Sequence, residues 1–163
     1  MIAEIDKLLD TPEPPELGPG PRAGVMAEKL LGERLRKLGA SDLLRATVLL
    51  WHDHLDAAHQ IAQVIETADG SYVHGIIHRR EPDYSNAKYW FRRVGEHPCF
   101  EELSRRLNAP WDALAFVDRC QRRENISELR EIQALEIRLL AEFFRSGVCG
   151  WPESPQAAPG PGG

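Results

Sequence analysis

The residues able to do chemistry crowd into one part of the chain. All six histidines fall between His52 and His97, and the stretch from Tyr72 to Phe100 alone holds His74, His78 and His97 with Arg79, Arg80, Arg92 and Arg93. A fold does not by itself ask for that distribution, so 52–97 reads as a site. His74 and His78 are four residues apart, which on a helix puts both imidazoles on one face, where they can share a metal ion. Gly75, Ile76 and Ile77 lie between them, so the glutamate of an HExxH metalloprotease is missing. His52, Asp56 and His59 follow at steps of four and three, so each neighbouring pair can share a ligand or a metal. The candidate metal ligands are therefore His52, His59, His74 and His78, for zinc, manganese or iron. His97 precedes Pro98, a natural first residue of a helix. An anion can settle at such a start, and an imidazole titrating near pH 6.5 can act there as acid or base. Asp56 is the second candidate for moving protons.

The arginine-rich part suggests what the site would hold. Asn86, Tyr89 and Arg93 share a face at helical spacing, while Trp90 and Val94 fall on the neighbouring apolar face. Guanidinium groups fork a carboxylate or phosphate, and aromatic faces pack a ring. Arg79, Asn86, Tyr89 and Arg93 are thus candidates for a small anionic molecule. Arg79 and Arg80 point in different directions on a helix, so one of them is expected to pair with Glu81 or with an acidic helix. Cys99, two residues from His97, raises nucleophilic cysteine chemistry only as a coincidence of sequence.

Between the ends of the chain the signals are almost all helical. Val25–Leu38, Asp42–Ala68, Tyr72–Arg80, Ser85–Val94, Pro98–Leu107, Trp111–Arg123 and 127–146 each carry apolar residues at steps of three and four or end on glycine or proline signals. On the long helix 42–68, Leu44, Val48, Trp51, Leu55, Ala58, Ala62 and Ile65 make one stripe toward the core. His52, Asp56, His59 and Gln63 form a polar edge beside it, and Asp53 points to solvent. The expected architecture is an all-α, irregular bundle of about seven helices. Residues 1–24 form an N-terminal arm and a Pro/Gly-rich linker, 25–150 the helical domain, and 151–163 a disordered tail. Five prolines and three glycines in 11–24 exclude regular structure there.

The run WHDHLDAAHQIAQ, continued in GSYVHGIIHRREPDYSNAKYWFRRVGEHP, resembles an uncharacterised bacterial family with fungal relatives. The resemblance covers about 51–98 and implies no activity, ligand or cofactor. A second likeness, at the level of fold alone, is to DinB-like helical bundles, which bind metal with three histidines on bundle helices. Here the HxxxH pair falls on a short helix in mid-chain.

Composition sets outer limits. A net charge of -5 argues against non-specific nucleic-acid binding and against docking on anionic lipid. No run approaches the roughly 18 apolar residues of a membrane span. Three widely spaced cysteines read as reduced thiols of a cytoplasmic protein. Arginine far exceeds lysine, which fits a GC-rich bacterial genome. Three readings follow. One is a metal-assisted, hydrolase-like enzyme acting on a small anionic substrate. Another is a metal-free binding or sensing module for such an anion. The third is a helical interaction protein that uses its arm, for which a homo-oligomer is an open outcome.

Overall fold

The computed structural model describes residues 1–146, and all regular structure among them is helical. Nine helices follow in order: α1 Ile2–Leu8, α2 Glu28–Lys37, α3 Asp42–Trp51, α4 Leu55–Ala62, α5 Ala68–Arg80, α6 Tyr84–Val94, α7 Pro98–Leu107, α8 Ala113–Arg122 and α9 Ile126–Arg145. The count exceeds the expected seven. Arm residues Ile2–Leu8 form the short amphipathic helix that Ile2, Ile5, Leu8 and Leu9 allow, and the stretch expected as one helix over 42–68 is two. The expected tail lies outside the described residues. No described helix is long and apolar enough to cross a membrane.

The break after α3 has a clear local cause. His54 N–H bonds to Leu49 O at 2.9 Å and Asp53 N–H to Leu50 O at 3.0 Å. This is the crossed pair of a Schellman ending, and Asp53 holds the left-handed position with φ 64°. Glycine usually sits there, although aspartate tolerates that conformation better than most residues. The carboxylate explains the exception. Asp53, expected at the surface, is buried and accepts Arg80 at 2.6 Å, the Arg22 side chain at 2.6 Å, and the backbone N–H groups of Arg22 and Glu16. Those charges and bonds hold its carboxyl below the usual range although burial alone would raise it. The apolar stripe continues across the break, so the hydrophobic pattern cannot reveal it.

The linker is fixed to the body rather than free. Gly20 passes so close to Asp53 that a Cβ there would lie 2.4 Å from the aspartate Cβ. Any side chain at this position would push the strap off its anchor. The arm docks too, burying Ile5, Leu8 and Leu9. Each such side chain contributes about 1.5–3 kcal/mol before ordering costs. His52 and Arg138 hold the carbonyls of Leu8 and Leu9, and Arg145 pairs with Asp6 at 2.6 Å.

Helix α5 runs through the middle of the bundle. Tyr72, Val73, Ile76 and Ile77 are fully buried, and so are Arg79 and Arg80. It begins earlier than its sequence suggests, because Thr67 and not Ser71 caps it by accepting from Gly70 N–H. Asp83 caps α6 by accepting from Asn86 N–H. Gly75 on α5 faces the Phe91 ring of α6, where a Cβ would approach within 2.9 Å. A single hydrogen at that point lets α5 and α6 pack tightly, and this contact sets the site.

Candidate metal centre

Three histidines from two helices meet beside the α5–α6 contact. His74 and His78 project from one face of α5, one turn apart, as their spacing requires. His59 reaches them from α4. One ring nitrogen from each lies within 4.8 Å of the other two. His59 Nε2 and His74 Nε2 are only 2.9 Å apart. Two imidazoles sharing a metal at 2.0–2.1 Å would hold their nitrogens about 2.9–3.4 Å apart, so this pair is already at ligand spacing. From the outer limit of 4.8 Å the third nitrogen needs a movement of about 1.4–1.9 Å to match it.

The surroundings keep the His74 and His78 rings neutral. Burial, with His78 and His59 close by, lowers the pKa of His74 to about 4. Burial also lowers His78, and the Glu81 carboxylate partly offsets this. Neutral imidazole is the form that binds metal. His78 Nδ1 lies 3.1 Å from Glu81 Oε2, so a carboxylate sits behind the ring. A carboxylate behind a ligating histidine orients the ring and raises its basicity.

Helix α6 forms the wall of the site. Trp90 stacks on His74 with ring centres 3.9 Å apart and planes 15° apart, and His74 is also near-parallel to His78. The Asn86 amide lies 3.3 Å from His78 Nε2. Arg93 sits 5.5 Å from the Trp90 ring centre and donates to Tyr89 Oη at 3.3 Å. Arg93 is exposed and has no carboxylate partner among the described residues. The face Asn86, Tyr89 and Arg93 is therefore beside the triad, as its spacing suggests. Trp90, assigned to an apolar face by the helical wheel, covers His74 and is part of the site. Its place between Asn86 at four residues and Arg93 at three was the available signal.

Other candidates lie elsewhere. His52 Nε2 donates to Leu8 O at 2.8 Å and its Nδ1 accepts Met26 N–H, so both nitrogens tie the arm to the body. His54 Nε2 donates to Met26 O at 2.7 Å. His97 caps α7 by accepting Cys99 N–H, and its Nε2 donates to Asp69 at 2.8 Å. Neither nitrogen is left to move a proton. Asp56 is exposed on the first turn of α4 and bonds to no histidine among the described residues. Arg79 is fully buried, pairs with Glu136 of α9 at 3.1 Å, and lies 4.7 Å from the Phe116 ring centre. It serves the core and reaches no open surface. Burial, reinforced by the negative charge of Glu136, pushes the Cys99 thiol well above its ordinary value, so it is a poor nucleophile.

Comparison with protein-family models, with curated proteins and with solved structures gave no match.

Proposed function

We propose that His59, His74 and His78 bind one divalent first-row metal ion, with zinc, manganese and iron as the candidates. The observation that carries this reading is the set of three ring nitrogens within 4.8 Å, two of them at 2.9 Å, with the His74 and His78 rings kept neutral by burial. Three protein ligands leave a coordination position for water or substrate, the pattern of catalytic rather than structural sites. The metal would supply Lewis acidity and a bound water of lowered pKa. Arg93, with Tyr89 and Asn86, would hold the charge of a small anionic substrate next to it. Trp90 would exclude water from the His74 side and pack a flat portion of that substrate. Glu81 would keep His78 Nε2 turned toward the ion. The function supported best is a metal-assisted, hydrolase-like reaction on a small anionic molecule.

The test is metal analysis of protein purified without an affinity tag, then titration with zinc, manganese and iron(II). We expect about one ion per chain for wild type and none for His74→Ala. A stoichiometry far below one after soaking in all three metals would remove the metal and the hydrolase with it.

One observation favours a second reading. A separation of 2.9 Å also fits a single proton shared between His59 and His74. In that case the same cleft is a metal-free anion site built on Arg93. A thermal shift with phosphate or a dicarboxylate that persists in EDTA and vanishes in Arg93→Ala would select it.

A further inference from the structure

A second region has the form of a ligand site and shares no residue with the histidine triad. Helix α1, the linker and α2 surround a cavity of about 720 Å³. Small-molecule sites span about 300–1,000 Å³ and are mostly apolar with a few placed polar groups. Leu8, Val25, Met26, Leu30 and Leu38 supply apolar lining. Leu30 is 45% exposed although it sits in the middle of α2. A single exposed leucine means little. One lining a cavity with four other large apolar side chains is surface that a ligand can cover.

Charge at the rim selects the ligand. Lys7, Arg34 and Lys37 line the cavity, and among the described residues none of them pairs with a carboxylate. Of the two lining acids, Glu4 is held at 2.9 Å by the Met1 amino group, which leaves Asp10. His52 also lines the cavity, but both its nitrogens are engaged and burial lowers its pKa, so it adds no charge. The rim is therefore net positive over apolar walls. A neutral apolar compound would cover the three cations without pairing them, and a metal ion would be repelled.

We propose that this cavity binds a small amphiphile with one anionic head group and an unbranched apolar tail, such as a medium-chain carboxylate. The tail lies against Leu8, Val25, Met26 and Leu30. Arg34 and Lys37, three residues apart in the last turn of α2, present two cations to the head group, with Lys7 of α1 as a third. The negative end of the α2 dipole opposes an anion there, but it amounts to about half a charge against two full ones. Arginine adds a fork that matches a carboxylate with two hydrogen bonds. The site is independent of the metal reading.

Calorimetric titration of the full chain with dodecanoate, dodecanol and acetate, all below micellar concentrations, tests this. Dodecanoate should bind saturably at one per chain, dodecanol at least tenfold more weakly, and acetate not at all. Arg34→Ala with Lys37→Ala, both at exposed positions, should erase the preference for dodecanoate over dodecanol. Leu30→Glu should weaken dodecanoate at least tenfold. His74→Ala should bind dodecanoate as wild type does. Absence of saturable dodecanoate binding, an undiminished preference in the Arg34/Lys37 double variant, or equal loss in His74→Ala would overturn the proposal. Far-UV circular dichroism on each variant establishes that it is folded.

Discussion

In His59, His74 and His78 a ring nitrogen faces other rings, whereas in His52, His54 and His97 it faces backbone groups or a carboxylate. The first three lie where α4 and α5 meet beside α6, and Trp90 of α6 covers His74. The other three fasten the arm, the linker and the start of α7. The second group flanks the first along the chain, with His52 and His54 before it and His97 after it, so the density of histidines does not separate them. What separates them is the partner of each nitrogen. A nitrogen bonded to a carbonyl is spent on the fold, whereas three nitrogens gathered within 4.8 Å on separate rings can turn toward one ion.

Substitutions can break this division. The largest effect belongs to His74→Ala, which should lower zinc affinity about 1,000-fold or more, beyond the roughly 10–100-fold of an outer-shell loss. Competition with a chromophoric chelator measures it, and an affinity within tenfold of wild type would erase the distinction. Next comes acid. Free His74 titrates near 6.5 in the unfolded chain and at about 4 in the fold. The unfolded state then holds more protons between those values, so the metal-free protein loses stability as pH falls from 6.5 to 4. The loss reaches about 3 kcal/mol at most for this one group. Urea denaturation across that range should give a flatter profile for His74→Ala than for wild type.

On the other side of the comparison, His52→Ala strands the Leu8 carbonyl and the Met26 N–H, which costs about 1–3 kcal/mol. Urea denaturation should register that loss while zinc affinity stays within twofold. The smallest effect sharpens the first group from within. Glu81→Gln keeps the shape but removes the charge behind His78, and zinc affinity should fall about tenfold with little change in stability.

Much of the fold could be read in the sequence because apolar spacing and caps are local. Helices α7 and α9 begin and end within a residue or two of expectation, at Pro98, Leu107 and Ile126. The HxxxH pair and the Asn86–Tyr89–Arg93 face hold for the same reason, since each depends on one helix. What failed depended on contacts between distant segments. The wheel over 42–68 placed His52 and His59 on one edge, but a left-handed residue at Asp53 turns the chain between them. Asp53 takes that form with partners 31 and 27 residues away, which no local pattern encodes. Arg79 resembled a ligand arginine until Glu136, 57 positions on, was found opposite it.

Asp53 also bears on the order of folding. His59 and His74 are 15 positions apart, a short loop that closes readily. The frame that fixes their helices spans more chain, since Asp53 meets Arg80 at the end of α5 and Arg22 in the strap across 27 and 31 positions. Contacts of high sequence separation lose more chain entropy before they gain energy. The His59 and His74 rings can thus meet in a chain that is still loose, before the scaffold around them has set. A metal captured at that moment would join the ends of a nascent hairpin of helices, and would act during folding as a crosslink.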